Sequence, residues 1–187
     1  MQNVICNDLA IFERCAGDYG IGVFILSDLS KSVVIKQISD INGIVYDLLL
    51  LADPSPKIVD DYIGRGKVFV ASYCGEIVGE YVLIHTRPET IEIVNIAIKD
   101  EYQGKGLGKF LLKDAIERAS TFGAKTLDIG TANSSIFQLA LYQKVGFRVT
   151  GIDRDFFIRH YDEPIYENGI QCLDMVRLSM ELDKKVC

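Results

Sequence analysis

Runs of positive charge are missing from this chain, and with them goes one group of partners. No stretch holds five lysines and arginines in a row, and 26 acidic residues against 20 basic ones leave a formal net charge of −6. Nucleic acids and anionic membranes are bound chiefly through clustered positive charge, so neither is expected as a partner. Cysteine occurs five times, at Cys6, Cys15, Cys74, Cys172 and Cys187, with no CxxC pair and no histidine arrangement of zinc-site spacing. No metal is expected, and reduced thiols in a cytoplasmic protein are the simple expectation. Long apolar runs are missing too: "IGVFIL" and "DLLLLA" are far too short to span a bilayer, and the start lacks the basic residues of a signal peptide. Neither an internal repeat nor a low-complexity tract is present.

What remains is a mixture of 49% hydrophobic and 25% charged residues, which suits one continuous core. Residues 1–32 carry no firm periodicity and are expected to form an extension; a single domain is expected over 33–184. Within it, "SVVIKQIS" reads as a strand over 33–38, "YDLLLLA" as a short helix, and the segment from Pro54 and Pro56 to Gly64 and Gly66 as another helix. "KVFVASY" and "EIVGEYVLIHT" form an expected hairpin around Cys74 and Gly75, followed by a central strand, "TIEIVNIAI". Leu107, Phe110, Leu111, Ala115, Ile116, Ala119 and Phe122 recur at helical spacing up to Gly123. "KTLDIGT" is the next strand and "NSSIFQLALYQKV" the next helix, capped by Asn133 or Ser134 and closed by Gly146. Two long strands, about 147–158 and 170–181, are expected to end the domain, joined through an Asn168-Gly169 turn. The order predicts an α/β fold, a mixed sheet with helices packed on it.

Chemistry concentrates in "DEYQGKGLGKFLLKDAIERA", residues 100–119, where Gly104, Gly106 and Gly108 precede an amphipathic helix. Bare backbone N–H groups and the positive end of a helix dipole both face an anion at such a place. A Walker A loop fails, because the glycine it needs falls on Lys109; the dinucleotide pattern GxGxxG fails on Lys109 or on Leu111. What matches is QxxGxG at Gln103, Gly106 and Gly108, directly after the strand "EIVNIAI". A second segment, "ANSSIFQLALYQKVGF", carries Asn133, Tyr142, Gly146 and Phe147.

In these two motifs the chain resembles the GNAT superfamily of N-acetyltransferases, in the manner of a small bacterial-type member, over about residues 33–182. The resemblance implies a twisted mixed sheet of six or seven strands, in which strands 91–98 and 125–131 splay apart to admit the arm of acetyl-CoA. It implies an acetyl transfer from acetyl-CoA to a primary amine of a small molecule, a protein or a peptide by direct attack, and it leaves room for a homodimer. The backbone of Gly104, Lys105, Gly106, Leu107, Gly108 and Lys109 would cradle the pyrophosphate, with Gln103 capping the loop or touching the ligand. Ile96, Ala97 and Ile98 would pair with the pantetheine arm and polarise the thioester. Asn133 would bind the coenzyme or serve only as a helix cap.

Tyr142 is the implied general acid for the departing thiolate; its other reading is a packing aromatic. Glu92, an ionisable residue inside an apolar strand, is the first choice of base, with a structural salt bridge as the alternative. Glu80, His85, Asp128, His160 and Tyr161 rank behind it. The segment 151–169 is rich in acidic and aromatic residues, which suits a cationic amine or simply a solvated loop. The competing function is a non-catalytic acyl-CoA-binding sensor or regulatory module that retains the loop and lacks the chemistry.

Overall fold

The structure is a computed structural model that describes residues 32–182. Residues 1–31, nearly all of the expected extension, lie outside the described residues. In chain order the elements are β1 (Val33–Ile38), α1 (Gly43–Ala52), α2 (Pro56–Ile63), β2 (Lys67–Tyr73), β3 (Glu76–Arg87), β4 (Thr90–Ile98), α3 (Leu107–Thr121), β5 (Thr126–Ala132), α4 (Ile136–Val145), β6 (Arg148–Asp153), α5 (Phe156–His160), β7 (Tyr166–Glu167), β8 (Ile170–Gln171) and β9 (Met175–Glu181). Seven strands form one mixed sheet in the order β1-β2-β3-β4-β5-β9-β6, while β7 and β8 make a separate hairpin. Only β4 and β5 run parallel; every other neighbouring pair is antiparallel.

Local chemistry explains the early elements. Asn42 accepts the Val45 N–H at 3.1 Å and starts α1, and Pro56 opens α2 at a position whose N–H needs no partner. Two apolar clusters fill the two faces of the sheet. α3 lays Leu107, Leu111, Leu112, Ala115 and Ala119 against Phe69, Tyr81, Leu83 and Ile93. On the other face Val45 and Leu49 of α1, with Val59 and Tyr62 of α2, cover Val68, Val70, Val82 and Ile84.

Three expectations are corrected. The strand expected over 147–158 ends at Asp153, and a short helix follows, because Asp155 takes a left-handed φ of 55° that no strand sustains. The strand expected over 170–181 divides into β8 and β9. Cys172, Leu173 and Asp174 leave the sheet between them, held by the Ile165 carbonyl and the Asn133 side chain. The cap of α4 is Ser135 rather than Asn133 or Ser134. The turn at Asn168 and Gly169 is as expected, with φ of 53° and 73° joining β7 to β8. Among the thiols, Cys172 is free and buried, whereas Cys74, in the half-buried turn of the β2–β3 hairpin, is disulfide-bonded, which departs from the expectation of reduced cysteines. No helix among the described residues is long and apolar enough to cross a membrane.

The feature that positions the site lies in β4. It pairs with β5 only from Thr90 to Ile93, against Thr126 to Ile129. The next residue, Val94, has no register partner in β3, since Val82 faces Asn95 and Leu83 faces Ile93. Such a bulge bends and twists a strand. Here it falls at the point where β4 leaves β5, so Val94 to Ile98 present an edge that no strand covers on that side.

Candidate active site

A cavity of about 780 Å³ runs along that open edge. Ile96, Ala97 and Ile98 line it, as do Gln103, Gly104, Gly106, Gly108 and Lys109, and Tyr142 and Glu92 from the catalytic expectation. Three expected coenzyme contacts do not reach the lining. Lys105 holds its ammonium 5.2 Å from the Tyr102 ring centre, and Leu107 is buried in the core. Asn133 commits its amide elsewhere, donating to the Gln171 carbonyl at 3.0 Å and accepting from the Leu173 and Asp174 N–H groups at 2.7 and 3.0 Å.

The glycine loop has the shape of an anion cradle. Gly104 and Gly106 have φ of +69° and +83°, and open space lies where each would carry a Cβ. An L side chain would be strained there and would fill the place of a phosphate. Gly106 is also the cap residue of α3, so the unpaired N–H groups of the first turn and the positive helix end face the same space. Gly108 serves packing: a Cβ would stand 3.3 Å from Leu141 Cδ2. Gln103 ties the loop to β4, donating to the Ile98 carbonyl at 3.0 Å and to Asp100 Oδ1 at 2.9 Å.

Tyr142 stands in the wall of the cavity at 5% exposure. Burial, and to a smaller extent the Glu167 carboxylate, hold its phenol well above the ordinary tyrosine value, so it carries its proton at neutral pH. Its hydroxyl has no hydrogen-bond partner among the described residues, and its ring packs 6.3 Å from that of Phe147.

Glu92 lies in the paired part of β4, beside Asp128 in the register. Arg177 Nη1 donates to its Oε1 at 3.0 Å. Burial raises its pKa, the Arg177 charge opposes the rise, and Asp128 adds to it. The salt bridge anticipated as the alternative is therefore present, on a carboxylate that still lines the cavity. Of the lower-ranked bases, His85 and His160 are exposed, and Asp128 accepts Ser179 Oγ at 2.5 Å and Arg87 Nη2 at 2.6 Å. Glu80 is fully buried on β3, outside the cavity lining, with no hydrogen-bond partner for either oxygen. Burial pushes its carboxyl far above the usual range, and the nearby Ala97 backbone offsets this only in part.

Sequence reading passed over Asp53, Tyr62, Asn95 and Arg177, all in the cavity wall. Asn95 donates to Tyr62 Oη at 2.6 Å and to the Leu49 carbonyl at 2.9 Å, which pins α1 and α2 to the bulged strand. Arg177 carried the same signal that picked out Glu92, a charge within an apolar strand. Asn95 carried a weaker form of it. Asp53 and Tyr62 had no such signal. No group of three or more metal-binding side chains occurs among the described residues.

A sheet parted beside a glycine cradle joins an open strand edge to an anion site in one cavity, as an acyl-CoA-dependent transferase requires. The comparisons agree: the acetyltransferase (GNAT) family profile matches residues 46–147, and the chain belongs to that family. It is 62% identical over 141 residues to a protein of Bacillus subtilis (strain 168) named Uncharacterized N-acetyltransferase YvbK, covering 75% of this chain and 91% of that one. A crystal structure of a Bacillus subtilis acetyltransferase in complex with CoA is similar at 58% identity and a TM-score of 0.77, over 80% of this chain and 98% of that chain. A GNAT family acetyltransferase from Elizabethkingia anophelis with acetyl-CoA bound is similar at 49% identity and a TM-score of 0.78, again over 80% and 98%. The chain is an acetyl-CoA-dependent N-acetyltransferase.

Proposed function

We propose that this enzyme transfers the acetyl group of acetyl-CoA to a primary amine by direct attack, without a covalent acyl-enzyme. The observation that carries the reading is the uncovered β4 edge from Val94 to Ile98, which shares one cavity with the glycine cradle and the Tyr142 phenol. The loop N–H groups would receive the pyrophosphate, and the free edge of Ile96 to Ile98 would hold the pantetheine arm as an added strand. One oriented donor to a developing oxyanion typically lowers a barrier by about 3 kcal/mol. Tyr142 would protonate the departing thiolate, for which a phenol that keeps its proton at neutral pH is suited. Glu92, directly or through a water, would take the proton from the ammonium, since only a neutral amine attacks.

The test is thiol release from acetyl-CoA across a panel of alkylamines, polyamines, aminoglycosides, amino acids and peptides. Turnover with an amine and the matching N-acetyl product support the proposal. Coenzyme binding without thiol release from any acceptor would overturn it in favour of a sensor.

A further inference from the structure

The cavity wall holds four carboxylates, and they differ in what neutralises them. Asp61 is paired with Arg65 Nη2 at 2.7 Å, and Glu92 with Arg177 Nη1 at 3.0 Å. Glu167 is half-buried, accepts the Ser135 hydroxyl, and stands near enough to Tyr142 to hold its proton on. Asp53 is the most enclosed of the four, at 9% exposure, and no cationic side chain among the described residues acts on it. Its Oδ1 accepts two neutral donors, the Ser55 N–H at 3.1 Å and the Tyr161 hydroxyl at 3.1 Å. Its Oδ2 has no hydrogen-bond partner among the described residues and is not among the sealed, unsatisfied atoms.

A carboxylate taken out of water without a counter-charge is costly, by several kcal/mol even after relaxation. Two neutral hydrogen bonds offset part of that and leave the charge. Coenzyme A is a polyanion and brings no compensating cation, so the missing positive charge belongs to the other ligand. The surroundings describe the rest of it. Tyr62, Phe157 and Tyr161 line the same cavity and make its wall beside Asp53 aromatic, while the Tyr161 bond fixes the carboxylate from a segment 108 residues away in the chain.

We propose that Asp53 is the counter-ion of the acceptor's ammonium group, and that the acceptor is a primary alkylammonium on an apolar stem. This rests on the acetyltransferase reading of the cavity. The charge that Asp53 meets comes either from the reacting amine or from a second ammonium on the same molecule.

Calorimetric titration of n-pentylamine, 1,5-diaminopentane and n-pentanol into the CoA-loaded enzyme tests this without turnover. The amines should bind at least tenfold more tightly than the alcohol. Asp53→Asn keeps an oxygen for the Ser55 N–H, and it should weaken amine binding at least tenfold while leaving the alcohol within twofold. A loss confined to the diamine assigns the second ammonium; a loss for both assigns the reacting one. Tyr161→Phe, which retains the charge, should give a smaller, few-fold loss and serves if Asp53→Asn does not fold. Affinity unchanged for both amines in Asp53→Asn, an alcohol that binds as well as the diamine, or no amine binding to the CoA-loaded wild type would each overturn the proposal. Failure of CoA itself to bind would instead overturn the proposed function.

Discussion

Tyr142, Glu92 and Glu80 are three buried or half-buried acids whose environments set them to different tasks. The Tyr142 phenol keeps its proton and spends it on no protein partner among the described residues, which suits a donor. Tyr142→Phe is expected to lower kcat roughly 100-fold, within the range of general acid catalysis, with the acetyl-CoA KM changed less than twofold in steady-state assays. Glu92 is raised by burial while Arg177 opposes the rise. As a base it acts when deprotonated, so kcat/KM should climb with pH along a limb lying above the ordinary glutamate value of about 4.3, and Glu92→Gln should abolish that limb. Glu80 behaves otherwise. Fully buried and with no hydrogen-bond partner for either oxygen, its carboxyl is held by burial well above the ordinary range, so the fold keeps its proton to higher pH than the unfolded chain does. The folded state binds the extra proton, so stability falls as pH rises from the ordinary glutamate range towards the raised folded value. Glu80→Gln should therefore raise Tm more at pH 8 than at pH 5 and flatten the decline between them, as thermal unfolding across that range would register; at this size each kcal/mol corresponds to roughly 2–4 °C.

Among the elements, the glycine loop was legible because its chemistry is written in consecutive residues. Gly106→Val would force a branched side chain into a φ of +83° and into the open space of the cradle, and calorimetry should find coenzyme affinity lost by more than tenfold while far-UV circular dichroism stays native-like. β1 to β5 and α3 were legible as well, since their apolar periods are regular and their ends carry glycine, proline or asparagine. In residues 147–181 the strands β6 and β9 and the Asn168-Gly169 turn were legible, but the breaks after Asp153 and at Cys172 to Asp174 were not. There the apolar period runs on through Asp153 and through Cys172 to Asp174, and only tertiary bonds interrupt it: the Asp174 side chain to the Asp155 N–H, and Asn133 to Leu173 and Asp174. The Val94 bulge was equally hidden, because nothing local distinguishes a bulged valine from a paired one.

At the scale of the whole molecule, the site depends on segments far apart in sequence. Asn133, Ser134 and Ser135 at the start of α4 hold the β7–β8 hairpin through Gln171, Asn168 and Glu167, and Tyr161 reaches across to Asp53. That is why much of the cavity wall could not be read from the sequence: loop motifs name the donor's site, whereas the acceptor's wall is assembled by long-range contact from residues with no shared pattern. The parting of β4 from β5 reaches further than catalysis. An uncovered strand edge is a template for unwanted association between chains, and this one sits in the middle of the sheet instead of at its rim. Coenzyme occupancy should then act as a folding partner. At 100 times its dissociation constant a ligand adds about 2.7 kcal/mol, and Tm should rise by several degrees with CoA while exchange at the amides of residues 94–98 slows. Without the coenzyme the same chain would be the less stable and the more prone to associate through that edge.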